Sequence, residues 1–168
     1  MNLEQTAEWI EANDWAAIES AWLSAIETEK NVSPQQAGEV LESLVAAEQT
    51  DLAETLAWTL LTDRVEKLEP APALALAQAL CLAVPGSGDL RKQTAECYRK
   101  LFAQREDLEP LLAASGLVGN QSPRRAFRTL DVCLKILGGD YMANRFDHRV
   151  MRIDAFDRVT GEFEVRDQ

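Results

Sequence analysis

The sequence predicts a mainly α-helical fold: a right-handed array of antiparallel helical hairpins, followed by a short C-terminal β-hairpin. Three observations lead there. Punctuation recurs every 38 residues, with Pro34, Pro72 and Pro110 in register, Ala37 with Ala75, Leu44 with Leu82, Asp51 with Asp89, and Ala57 with Ala95. Each unit holds two apolar runs at helical spacing, separated by a polar or proline–glycine break. After Gly138-Gly139 the periodicity changes from helical to alternating.

Thr6 to Ala12 reads as a first helix with Trp9 and Ile10 inward, and Asn13-Asp14 as its break, Asp14 capping the next helix. Trp15, Ile18, Trp22, Ala25 and Ile26 then form one apolar stripe. Three tryptophans within 14 residues suggest a ligand cage, but at this spacing Trp15 and Trp22 belong to the core. Ser33-Pro34 is a cap followed by proline at the first helical position, where its missing N–H costs nothing. Ala37, Val40, Leu41, Leu44 and Val45 are its inward set.

Asp51 is the expected cap of the partner helix, whose Leu52, Leu56, Trp58, Leu60 and Leu61 cover a wide apolar arc. Ala73 to Ala83 is almost wholly apolar and predicts the most buried helix. Pro85-Gly86-Ser87-Gly88 is a turn rather than a phosphate loop, because no Gly-Lys-Ser/Thr follows. Asp89 then caps a helix with Leu90, Thr94, Cys97, Tyr98, Leu101 and Phe102 inward. Pro110 to Ala114 is a short helix and Gly116 to Ser122 a loop. Pro123 opens the last helix, with Phe127, Leu130, Leu134 and Leu137 inward. Arg149 to Phe156 and Glu162 to Arg166 alternate around the turn Asp157 to Gly161, the pattern of a β-hairpin. The expected domains are therefore 1–137, helical and similar to tetratricopeptide or HEAT-type repeats, and 138–168, a hairpin appendage that reads as the start of a small β module.

Composition limits the function. No apolar run approaches the ~20 residues of a bilayer span, and the N-terminus Met1-Asn2-Leu3-Glu4 lacks the pattern of a signal peptide. Cys81, Cys97 and Cys133 are odd in number and widely spaced, which predicts reduced thiols and a cytoplasmic protein. The net charge of −11 is uneven: residues 1–115 hold 20 acidic and 8 basic side chains, residues 116–168 hold 8 and 9. The acidic body repels nucleic acid. No paired His/Cys spacing supports a metal, and no motif implies a cofactor. An enzyme would need His148, the only histidine, with Asp147 or Cys133; Asp147 would point to the opposite face of a strand.

Asp14-Trp15-Ala16-Ala17-Ile18-Glu19-Ser20-Ala21-Trp22-Leu23, the helical pairs, and Leu130-Asp131-Val132-Cys133-Leu134-Lys135-Ile136-Leu137-Gly138-Gly139-Asp140-Tyr141 passing into a strand resemble the N-terminal helical extension of some bacterial Gre-type transcription elongation factors. The resemblance implies a docking module associated with transcription. The family's coiled-coil hairpin with acidic tip residues and its C-terminal globular domain have no counterpart in the sequence, so it also implies a fragment or stand-alone relative without transcript cleavage.

The leading expectation is thus a non-enzymatic module that binds a protein partner. Its candidate surface is basic: Arg124, Arg125 and Arg128 in the first turns of the last helix, with Arg145, Arg149 and Arg152 on or beside the first strand. The guanidinium fork suits carboxylates and phosphates alike. The alternative is a nucleic-acid-contacting accessory domain through the same region, at most weakly binding because aromatic residues are few there.

Overall fold

The computed structural model describes residues 3–28, 33–119, 121–137, 149–151 and 165–167. The chain divides into two compact units, Met1–Leu101 and Phe102–Gln168. The sequence places its domain boundary at 137/138, whereas the last two helices fall in the second unit.

Among the described residues the first unit contains six helices: α1 (Leu3–Glu11), α2 (Trp15–Thr28), α3 (Pro34–Ala46), α4 (Thr50–Arg64), α5 (Pro70–Ala83) and α6 (Gly88–Leu101). They pair in sequence as α1/α2, α3/α4 and α5/α6. The first helices of the pairs also pack on one another, α1 on α3 and α3 on α5, while α4 touches both α2 and α5. That is the mainly helical array the repeat predicts. Two onsets keep its spacing of 38, from Thr50 to Gly88 within this unit and from Pro70 to Leu108 in the next. Pro34 starts α3, and Pro72 falls in the first turn of α5, where no N–H partner is lost.

The turns explain why the pairs form. Asn13 and Glu48 both adopt left-handed φ, 55° and 63°. At the first, Asp14 N–H donates to Trp9 O and Asn13 N–H to Ile10 O; at the second, Gln49 N–H donates to Leu44 O and Glu48 N–H to Val45 O. Both are Schellman turns, which satisfy the terminal carbonyls and reverse the chain in few residues. Asp14 then caps α2 by accepting from Ala17 N–H at 3.1 Å, and Ser33 caps α3 by accepting from Gln36 N–H at 3.5 Å.

Two expected caps are corrected. The residue before α4 is Gln49, without a side-chain bond, and Asp51 lies inside the first turn. Before α6 the capping group is Ser87, whose hydroxyl accepts from Leu90 N–H at 3.3 Å, while Asp89 lies in the first turn. Ser87 is buried and donates to the Glu54 carboxylate on α4, tying the second pair to the third. A serine hydroxyl both donates and accepts, which an aspartate at this position does not.

The core of this unit lies between the pairs. Ala53, Leu56, Ala57, Leu60, Leu61 and Arg64 are buried at i, i+3, i+4, i+7, i+8 and i+11 of α4. Trp58, on the wide apolar arc read from the sequence, lies off that stripe and is 37% exposed. Trp22 is buried, and its indole donates to Leu56 O at 3.0 Å, joining α2 to α4. Trp9, Ile10 and Trp15 are half-buried, and Leu101, expected inward, ends α6 at 36% exposure. In α5 the buried arc contains Ala73, Ala77, Leu80 and Cys81. Leu82 sits on the opposite side of that helix and is half-buried. Its alignment with Leu44 therefore marks helical spacing but not equal depth.

Among the described residues Arg64 is the buried cation of this unit. Its Nη2 donates to Ile26 O at 2.6 Å, in the last turn of α2, where carbonyls lack helical partners. Its Nε lies 3.3 Å from Asp63 Oδ2. Asp63 in turn accepts from Lys67 Nζ at 2.6 Å, a bond that holds its carboxyl below the usual range.

The second unit contains α7 (Leu108–Ser115) and α8 (Pro123–Leu137), packed on each other. Pro110 falls in the first turn of α7. Gly116 ends α7 at φ 69°, and Leu117 is buried just after it. Ahead of α7, Arg105 grips Asp107 with two bonds of 2.9 and 2.8 Å, and this pairing holds the Asp107 carboxyl low. Two three-residue strands, β1 (Arg149–Met151) and β2 (Val165–Asp167), pair antiparallel with Val150 opposite Arg166. These two short segments do not establish the expected hairpin, whose turn at 157–161 and most of whose strand residues lie outside the described residues.

Candidate interaction surface

The basic residues at the start of α8 are placed by that helix's amphipathicity. Ala126, Phe127, Leu130, Cys133 and Leu134 are buried at i, i+1, i+4, i+7 and i+8, against α7. This leaves Arg124, Arg125 and Arg128 exposed. No acidic residue occupies the first turn, and none of the three has an ion pair among the described residues. Arg124 and Arg125 lie in the first turn, where positive charge opposes the dipole at a cost of about 0.3–1 kcal/mol per group. Arg128 lies in the second turn, where that effect has faded. Neither a local carboxylate nor the dipole therefore accounts for the cluster.

The other half of the expected patch is not brought to it by anything described. Arg145 and Arg152 lie outside the described residues, and Arg149 is placed only as backbone in β1, opposite Asp167. Asp147 and His148 also lie outside them. Cys133, their possible companion, is buried, and desolvation pushes its thiol up to about 12. A thiol held protonated in this way is a poor nucleophile. Burial raises Cys81 and Cys97 as well. Among the described residues no group of three His, Cys, Asp or Glu side chains is arranged to hold a metal, and no helix is long and apolar enough to cross a membrane.

A second surface escaped the sequence reading. Thr6, Ala7, Ile10 and Glu11 of α1 face Val40 and Ser43 of α3 across a cleft of about 250 Å³. The cleft lies where α1 packs on α3. Its signal in the sequence was charge. Residues 1–54 hold 12 acidic side chains and one basic one, Lys30, while residues 55–168 hold 16 of each. The whole net charge of −11 thus belongs to the segment that builds the cleft.

No family model, curated protein or solved structure matches the chain.

Proposed function

We propose that the chain is a non-catalytic protein-interaction module that presents Arg124, Arg125 and Arg128 to an acidic partner surface. The observation that carries this reading is three exposed guanidinium groups, unpaired among the described residues, two of them in the first helical turn, where the dipole disfavours them. The first unit is in this reading a stack of pairs similar to tetratricopeptide or HEAT-type repeats, in which each pair buries its apolar face only against a neighbour. In this reading Arg145, Arg149 and Arg152 extend the basic surface from a C-terminal hairpin. An association with transcription elongation rests on the residue resemblance to the Gre-type extension alone.

Nucleic acid is the second reading, since guanidinium groups bind phosphate as readily as carboxylate. Two observations count against it. The chain carries a net charge of −11, and Phe127, the aromatic beside the arginines, is buried and unavailable for base stacking.

The test is capture of a protein partner by the wild-type chain and by Arg124→Ala/Arg125→Ala. Capture should be lost in the variant while its thermal unfolding stays the same or rises slightly, because the removed charges oppose the dipole. RNA and DNA should bind more weakly than ~10 μM at physiological salt. A sequence-selective nucleic-acid complex that survives about 200 mM salt and disappears in the variant would replace this reading with the second. A turnover abolished by His148→Ala would overturn both.

A further inference from the structure

We propose that the α1–α3 cleft is a docking site for a cationic amphipathic segment of a partner protein, with an apolar anchor in the cleft and Lys or Arg side chains against Glu11 and Glu39. The proposal rests on the reading of the chain as an interaction module but uses a different surface from the arginines of α8.

The cleft has the make-up of an anchor site. Ala7, exposed, and Ile10, half-buried, offer the accessible apolar surface of the cleft, and Val40 behind them is fully buried. At about 250 Å³ it falls below the ~300–1,000 Å³ typical of small-molecule sites, so it suits one side chain of a larger ligand better than a free metabolite. An amphipathic helix docks into such a groove through a few apolar anchors at helical spacing.

Charge selects the occupant. Glu11 lines the cleft, and Glu8 is exposed one turn earlier on α1. Glu39 lies one turn before Ser43 on α3, and its carboxylate accepts from Gln35 Nε2 at 3.0 Å, a neutral donor, with no ion pair to it among the described residues. No lysine or arginine occurs among the described residues before Arg64. With 12 acidic side chains against Lys30 over residues 1–54, the surrounding field attracts a basic segment and repels an acidic one of equal hydrophobicity. A second copy docking through the same face fits less well, because its own segment 1–54 would bring like charge to it.

The experiment uses the full chain and two synthetic amphipathic peptides of about 18 residues, identical on the leucine face and carrying lysine or glutamate on the other. Fluorescence anisotropy should show saturable one-to-one binding of the leucine/lysine peptide, and none of the leucine/glutamate peptide. Ala7→Phe, which fills the cleft from an exposed position, should abolish binding. Glu11→Lys, a surface change that leaves the core intact, should weaken it by about fivefold or more, and so should Glu39→Gln. Undiminished binding by both Ala7→Phe and Glu11→Lys would mean that the peptide spreads over the acidic surface, and the proposal fails. It fails equally if the glutamate peptide binds as well or the lysine peptide does not bind. Arg124, Arg125 and Arg128 are intact in every variant, so failure here leaves the reading of α8 standing. Loss of partner capture by the arginine variant would likewise leave the cleft proposal standing.

Discussion

Two glycines, in equivalent need of explanation, give opposite answers once their surroundings are measured. Gly38 is buried inside α3, and a Cβ placed there would meet only Ala79 O, at 3.8 Å, an ordinary contact. Glycine in a helix interior is disfavoured against alanine by roughly 0.5–1 kcal/mol, so Gly38→Ala should stabilise the first unit by about that amount. Gly116 stands at φ 69°, and a Cβ there would come within 2.3 Å of Gln121 Cγ. Gly116→Ala should cost about 1–3 kcal/mol, from the left-handed backbone and the displaced side chain together. Urea unfolding of both variants checks the pair of signs. A loss of more than about 1 kcal/mol at Gly38 would mean that α3 and α5 approach too closely for a methyl group.

At the scale of elements, the depth of a side chain follows from where its helix is covered, and aligned positions need not share it. Leu80 is buried on the arc of α5 that faces α3 and α6, while Leu82 points away from it. Leu80→Ala should cost about 2–5 kcal/mol and Leu82→Ala about 1 kcal/mol, read from chemical denaturation followed by tryptophan fluorescence. Equal losses would place Leu82 in the core after all. Trp22→Ala should fall in the larger class, about 3–5 kcal/mol, since it also strands the Leu56 carbonyl. The helices themselves were legible because each carries an apolar stripe and a breaker: Asp14 and Ser33 announced their caps by residue type. The turn at Glu48 was not legible, because left-handed backbone at a glutamate has no composition signal. Ser87 was overlooked beside Asp89, since only the position of Glu54 on another helix shows why a group that both donates and accepts is needed. The exposure of Arg124, Arg125 and Arg128 was readable from the period of α8. The cleft was not, because it depends on which residues of α1 and α3 cross, and periodicity within one helix does not specify a crossing.

For the whole molecule, the titratable groups that the fold perturbs define a pH window in which both units keep their stability. On the acid side, Asp63 and Asp107 are held low by hydrogen bonds from Lys67 and Arg105, so their contribution is complete above the ordinary value of 3.8 and is lost as pH falls through their lowered values. On the alkaline side the sign reverses. Cys81, Cys97 and Cys133 are raised by burial, the last from 9.0 to about 12, so the folded chain retains protons that the unfolded chain releases. Stability is therefore complete below about pH 9 and declines as pH rises toward 12, by ~1.4 kcal/mol per pH unit for each thiol that remains protonated only in the fold. The two units are separable by probe, because Trp9, Trp15, Trp22 and Trp58 all lie in Met1–Leu101. Denaturation followed by tryptophan fluorescence at about pH 8 and 10.5 should show a decline that Cys81→Ala/Cys97→Ala flattens and Cys133→Ala leaves alone. Circular dichroism, which also reports α7 and α8, should show the complementary effect of Cys133→Ala. The same burial predicts slow alkylation of all three thiols in the native protein at neutral pH, against immediate reaction in urea. If the alkaline decline were the same with and without the cysteines, their desolvation would not be what limits stability there, and the decline would belong to the lysines and tyrosines instead.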